Sequence, residues 1–193
     1  MIEHFINTDI ASNILDNSII LIGPMGSGKS TIANLLEKKY NMPRISLDSK
    51  EQLSSLYKQR NNFNNFKEFE FFLTVTVLTN LMEAKIIDFG AGHSIYEDEL
   101  LFLEMKNLIS RFSNVILLMP SIDKEESIAI LNERKGIKLG SRQDFDNRHF
   151  IDMPCNYDLA TIIVYTKDKS KEQISNEIIS KISQKESNNK KQK

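Results

Sequence analysis

Gly23-Pro24-Met25-Gly26-Ser27-Gly28-Lys29-Ser30-Thr31 follows directly on the apolar run Ser18-Ile19-Ile20-Leu21-Ile22. After it, Ile32, Leu35, Leu36 and Tyr40 recur at helical spacing. Gly23, Gly28, Lys29 and Ser30 occupy the four fixed places of the phosphate-binding loop pattern. The order strand, glycine loop, helix is the one such an anion site requires. Three glycines let successive backbone N–H groups curl into a concave nest, and the positive end of the following helix adds to its field. Phosphates are then held by Gly23, Gly26, Ser27, Gly28 and Thr31, with Lys29 reaching the outer phosphates and the Ser30 hydroxyl available to a magnesium ion.

Outward from this loop, apolar runs and helical stripes alternate. Arg44-Ile45-Ser46-Leu47 reads as a second strand ending at Asp48, and residues 49–60 as a helix. A polar break at Asn61–Asn65 precedes a helical stripe from Phe66 to Glu83. Lys85-Ile86-Ile87-Asp88 is a third strand, closed by Gly90-Ala91-Gly92, and Val115–Met119 a fourth, stopped by Pro120. Leu101, Met105, Leu108 and Phe112 mark a helix between them; another spans about Asp123–Arg134. Residues 136–156 combine glycine, charge and little periodicity, the pattern of a mobile lid loop. Thr161–Tyr165 is the fifth strand, and Ile174, Ile178 and Ile182 line a closing helix. The reading is an α/β fold: three α/β/α layers around a five-stranded parallel sheet. Residues 1–17 form a polar lead-in with room for a short helical turn, 18–183 the domain, and 184–193 a disordered lysine-rich tail.

Bulk properties agree with one soluble enzyme domain. The chain has 193 residues, 40% hydrophobic and 26% charged, with a formal net charge of −1. That balance advertises neither a nucleic-acid nor a membrane surface. A single cysteine, Cys155, fits a reducing compartment, and the acidic residues near the N-terminus do not resemble a secretory signal. A cytoplasmic location is expected; monomer and dimer are not distinguished. The three histidines and distant cysteine offer no zinc-like spacing.

Polar candidates gather at the carboxyl ends of the strands, where ligands bind such sheets. Asp88 either holds the magnesium shell or caps a turn. Asp48 either hydrogen-bonds an acceptor hydroxyl and takes its proton, or caps the helix after it. Gly90 and Gly92 allow close approach of backbone to a substrate. His93 reads equally as a neutral donor to the acceptor and as a packed loop histidine. Arg134, Arg142 and Arg148 surround the lid stretch, where an arginine arriving on a closing loop stabilises spread phosphoryl charge. Lys67 faces either an acidic substrate group or solvent.

From about Ser18 to Ile182 the chain resembles the shikimate kinase-type branch of the nucleoside-monophosphate kinase-like P-loop proteins. Residues 23–31 are close to that family's phosphate loop, and Asp48 matches its acceptor-side aspartate. Phe66-Lys67-Glu68-Phe69-Glu70 is similar to its Phe-Arg-x-x-Glu helix motif, and Gly90-Ala91-Gly92 stands where it carries three glycines. Arg134 resembles the arginine beside the adenine and Arg142 the lid arginine. Asn156-Tyr157-Asp158-Leu159-Ala160 and Lys169-Ser170 resemble its closing strand and helix. The resemblance implies an ATP- and Mg2+-dependent kinase acting on a small-molecule acceptor.

Departures fall on the acceptor side. Ser46 replaces the first aspartate of the family's Asp-x-Asp, and Lys67 stands where an arginine would fork onto a carboxylate. Before Tyr157 the segment is Met153-Pro154-Cys155, without the family's second arginine clamp. Asp88 resembles the metal-holding aspartate of nucleotide kinases. The implied function is therefore phosphoryl transfer from ATP to a small hydroxylated metabolite other than shikimate. A nucleoside or nucleotide kinase is the alternative within enzymes, and a nucleotide-binding regulatory ATPase the alternative outside them. No guanine-reading motif of the GTPase type is evident, which favours adenine.

Overall fold

A computed structural model describes residues 10–191, with side chains through 188; the lead-in before Ile10 and the final two residues lie outside the described part. In chain order the elements are α1 (Ser12–Asn17), β1 (Ile19–Ile22), α2 (Lys29–Tyr40), β2 (Arg44–Ser46), α3 (Ser54–Tyr57) and α4 (Phe66–Thr79). There follow β3 (Ile86–Asp88), α5 (Glu99–Ile109), β4 (Asn114–Met119), α6 (Lys124–Lys135), α7 (Arg142–Asp152), α8 (Cys155–Leu159), β5 (Ile162–Tyr165) and α9 (Lys171–Lys191). The sheet is five-stranded and parallel, in the order β2-β3-β1-β4-β5.

The pleat of the central strands sorts the core into two layers. On one side Ile20 and Ile22 of β1 with Val115, Leu117 and Met119 of β4 meet α4, α5, α6 and α8 through Phe69, Leu73, Met105, Leu108, Ile128, Leu131 and Leu159. On the other, Ile19, Leu21, Ile116 and Leu118 meet α2 and α9 through Ile32, Leu36, Ile174 and Ile178. A strand buried on both faces explains why β1 and β4 read as unbroken apolar runs. Each such Leu or Ile contributes roughly 1.5–3 kcal/mol on burial. The rigid strands thereby present all their carboxyl ends on one rim.

Four expectations are corrected. Residues 49–60 hold only the single turn of α3 and a 3-10 turn at Arg60–Asn62, because Ser49 Oγ and Gln52 Oε1 bind backbone N–H groups locally. Helix α4 stops at Thr79, where Thr79 Oγ1 and Asn80 Nδ2 donate to the carbonyls of Val75 and Thr76. Leu81 still packs into the core from the turn beyond, which prolongs the apolar stripe past the helix.

The stretch 136–156 is mainly helical, not a loop: only residues 136–141 connect α6 to α7, and α8 begins at Cys155. Ser141 caps α7 by accepting from Asp144 N–H, and Asp144 accepts from Gly140 N–H and from Asn132 Nδ2, while Asn147 Nδ2 donates to Asn132 Oδ1. The face that α7 buries is partly polar, so apolar periodicity does not reveal it. Finally, α9 runs on to Lys191 where a disordered tail was expected. No glycine or proline interrupts that stretch, and Lys181 and Lys185 donate to the carbonyls of Ile163 and Ser113, tying it to the sheet.

Candidate active site

The loop after β1 takes the shape its glycines predict. Gly23, Gly26 and Gly28 have φ of 139°, 82° and 97°, the region that side chains avoid. A Cβ on Gly23 would also collide with the Leu118 carbonyl on β4. Within this curl Lys29 is buried, and its Nζ donates to the carbonyls of Gly23 at 2.8 Å and Pro24 at 3.0 Å. Burial lowers its pKa to about 8, against the opposing pull of Asp88 and Asp48 and with the help of Lys135. Ser27 Oγ is buried without a partner, and Ser30 and Thr31 stand exposed on the first turn of α2.

Asp88 ends β3 next to β1, in register with Leu21 on one side and Ser46 on the other. It is not a turn cap. Its Oδ2 pairs at 2.8 Å with Arg44, and Arg44 also donates to Asn34. Asp88 Oδ1 is buried with no partner. An unpartnered carboxylate oxygen near Lys29, with the Ser30 hydroxyl free on the helix start, suits a hard cation that keeps most of its waters. The donor set therefore fits magnesium.

Asp48 follows β2, whose end is pinned by Leu47 N–H to the Asp88 carbonyl and by Tyr57 Oη to the Leu47 carbonyl. The local cap belongs to Ser49, so the Asp48 carboxylate is left pointing into the site, its side chain 71% exposed. Partial desolvation over the loop floor raises its pKa, Lys29 opposes, and Asp88 adds to the rise. Gly90 and Gly92 serve the chain's own carboxylates: a Cβ at Gly90 would overlap Asp48, and one at Gly92 would overlap Glu70.

His93 is buried, with Nδ1 2.8 Å from Thr74 Oγ1 and Nε2 3.8 Å from Asp48 Oδ1. Burial and the nearby Lys67 lower its pKa to about 3, so the ring is neutral. Lys67 is half-buried: its Nζ pairs with Glu70 Oε2 at 2.7 Å, donates to the Gly92 carbonyl at 2.6 Å and lies over the Tyr96 ring.

The three arginines of the lid stretch are not one cluster. Arg148 is engaged by Glu125 at 3.0 Å and Asp144 at 3.6 Å, joining α7 to α6. Arg134 is exposed and reaches Thr166 Oγ1 at 3.5 Å, while Arg142 is exposed on the first turn of α7. Three residues that touch the site carry no signal in the sequence, Arg44, Thr74 and Lys135, while Glu70 stands in the helix motif without a role assigned to it. Lys135 at the end of α6 lies beside Gly26 and within the field of Lys29. A lysine among lysines carries no signal of this kind; the Arg44–Asp88 pair depends on strand register alone.

An amide nest closed by a lysine at the carboxyl rim of a parallel sheet, with carboxylates at the ends of the next two strands on one side, β3 and β2, defines a P-loop phosphotransferase. The shikimate kinase family model matches residues 25–183, and the chain belongs to that family. A shikimate kinase from Flavobacterium psychrophilum is 31% identical over 173 residues, covering 83% of this chain and 95% of that one. A cytidylate kinase from Fusobacterium nucleatum is 37% identical over 124 residues; the match spans 53% of this chain and only 56% of the relative's length. Among solved structures, a shikimate kinase from Acinetobacter baumannii superposes with a TM-score of 0.67 at 15% identity, covering 89% of this chain and 96% of that one. A gluconokinase from Sinorhizobium meliloti gives 0.61 at 13% identity, over 92% and 98%. These distant structures share the fold.

Proposed function

We propose that the protein is a magnesium-dependent kinase that moves the γ-phosphoryl group of ATP to a hydroxyl of a small acceptor other than shikimate. The observation that carries the reading is that Lys29 is buried within the glycine curl while Asp88, with an unpartnered oxygen, ends the adjoining strand β3 and Asp48 follows β2 beside it. Residues 23–31 would wrap the phosphates, with the unpartnered Ser27 hydroxyl inside the nest. Ser30 and Asp88 would hold magnesium, which supplies charge neutralisation on the phosphates when bound. Lys29 would balance the negative charge that develops on the transferred group, helped by Lys135 and by Arg142 from α7. Asp48 would orient the acceptor hydroxyl and take its proton. Arg134, beside Thr166, would lie at the base end of the nucleotide.

The acceptor side separates this protein from shikimate specificity. Lys67, at the position of the family's carboxylate fork, is already bound by Glu70 and Gly92. ATP use and one buried, unpaired cysteine support a cytoplasmic location; among the described residues no helix is long and apolar enough to cross a membrane. Product analysis with magnesium ATP and a panel of shikimate, nucleosides, nucleotides and polyols tests the reading. Phosphorylated product that disappears with Lys29→Ala supports it; tight ATP binding with no product from any acceptor would favour a regulatory ATPase. A nucleotide kinase is the second reading, favoured by Asp88 and by the cytidylate kinase likeness, and a nucleoside diphosphate product would establish it.

A further inference from the structure

The hydrogen bonds around His93 determine what its second ring nitrogen can do. Thr74 Oγ1 donates to the Glu70 carbonyl at 2.7 Å. A hydroxyl has one proton, so toward His93 Nδ1 the same oxygen accepts, and the ring proton sits on Nδ1. In a neutral imidazole that leaves Nε2 a bare lone pair. It faces Asp48 Oδ1 at 3.8 Å, beyond hydrogen-bond range, so the two are adjacent acceptors with no proton between them. Of the two readings of His93, a donor to the acceptor and a packed loop histidine, this tautomer does not serve the first.

The Lys67 ammonium on this side is already engaged, and the Arg60 guanidinium is stacked on rings. Two of the three Lys67 protons go to Glu70 and Gly92, and the ammonium lies 5.0 Å from the centre of the Tyr96 ring. Arg60 lies over the rings of Phe66 and Phe69 at 5.2 and 5.9 Å. An acidic ligand here would set its carboxylate beside Asp48, with only the remaining proton of the already shared Lys67 to meet it, a costly arrangement. A ligand rich in hydroxyl donors satisfies both bare acceptors.

Resting on the kinase reading above, we propose that the acceptor is an uncharged polyhydroxy compound without a carboxylate, which donates one hydroxyl to Asp48 and its neighbouring hydroxyl to His93 Nε2. The hydroxyl on Asp48 is the one that reacts. Its oxygen forms the bond to the γ-phosphorus, the bond from that phosphorus to the bridging oxygen breaks with its electron pair leaving on ADP, and the hydroxyl proton passes to Asp48. His93 is then a specificity residue, and Thr74 a positioning residue that acts through the ring's proton.

The test fractionates a small-molecule cell extract by charge, incubates each fraction with the protein and magnesium ATP, and measures ADP and new phosphorylated masses. The neutral fraction is expected to give at least about tenfold more product than any charged one. Equal or greater product from a charged fraction overturns the proposal while leaving the kinase reading intact; no product from any fraction overturns that reading as well. With the neutral acceptor identified, His93→Leu is expected to lower kcat/KM for it by roughly tenfold or more, with the KM for ATP unchanged. His93→Gln, which keeps an acceptor oxygen, is expected to recover most of that loss. Thr74→Val is expected to raise the acceptor KM while ATP-induced thermal protection persists, and this variant decides the matter if His93→Leu does not fold. Wild-type acceptor kinetics in Thr74→Val, or in a folded His93→Leu, would overturn the assignment.

Discussion

Lys29 is a side chain whose surroundings bring its titration close to neutrality. It is buried, its pKa is lowered to about 8, and phosphates bind its protonated form. Above that value the free protein has lost the proton, and nucleotide binding must take one up. ATP affinity is therefore expected to be flat below pH 8 and to fall by up to about tenfold per unit above it, as read by calorimetry in buffers of different ionisation heat. In the Lys29→Ala variant that dependence disappears together with turnover. Asp48 has the opposite sign. In its proposed role it works as a carboxylate; its pKa is raised, and activity is expected to be lost as pH falls through that raised value. Asp48→Asn is expected to lower kcat by roughly 10²–10⁴ and to remove the acid limb of the pH profile. His93, lowered to about 3, contributes no limb near neutrality.

Single turns and helices set how well these groups are aimed. Gly90 has no positive φ, and its lack of a side chain matters because Asp48 fills the space a Cβ would take. Gly90→Ala is expected to leave the fold intact, displace the Asp48 carboxylate and cost on the order of 10² in kcat, since small misplacements of a reacting group have effects of that size. The α6–α7 pair rests on buried polar contacts among Asn132, Asp144 and Asn147. Asn132→Ala leaves Asn147 Nδ2 without its acceptor and takes one donor from Asp144, and is expected to cost about 1–3 kcal/mol. Hydrogen exchange should show the loss first in residues 137–152, with β1 and β4 still protected. Such a helix pair carries Arg142 as a structured arm rather than on a loose loop.

Across the molecule, two apolar layers clamp a five-stranded sheet, and the strands' carboxyl ends bring the phosphate nest, Asp88 and Asp48 together. Only the folded rim offers that arrangement, so ligand binding is linked to global stability. Magnesium ATP at a hundred times its Kd is expected to stabilise the protein by about 2.7 kcal/mol, read as a rise in Tm. The Lys29→Ala protein is expected to show little of that rise while melting near the wild-type temperature without ligand.

Much of this architecture is legible in short stretches of chain. The glycine loop, the five apolar strands and the placement of Asp48 and Asp88 at strand ends follow from φ requirements and from periodicity, which are properties of neighbouring residues. Helix α7 was hidden because it buries hydrogen-bonded amides and a carboxylate in place of an apolar stripe. The Arg44–Asp88 pair, the Thr74–His93 contact and the occupation of Lys67 by Glu70 and Gly92 were illegible for another reason. Arg44 meets Asp88 only because β2 and β3 pair with Ser46 opposite Asp88, and His93 meets Thr74 only because the turn after β3 packs on α4. Phosphate capture was thus written locally, in consecutive residues that curl the same way wherever they lie. What the proposed acceptor site would recognise depends on packing, because which proton sits on which atom is set by partners that the chain brings from tens of residues away.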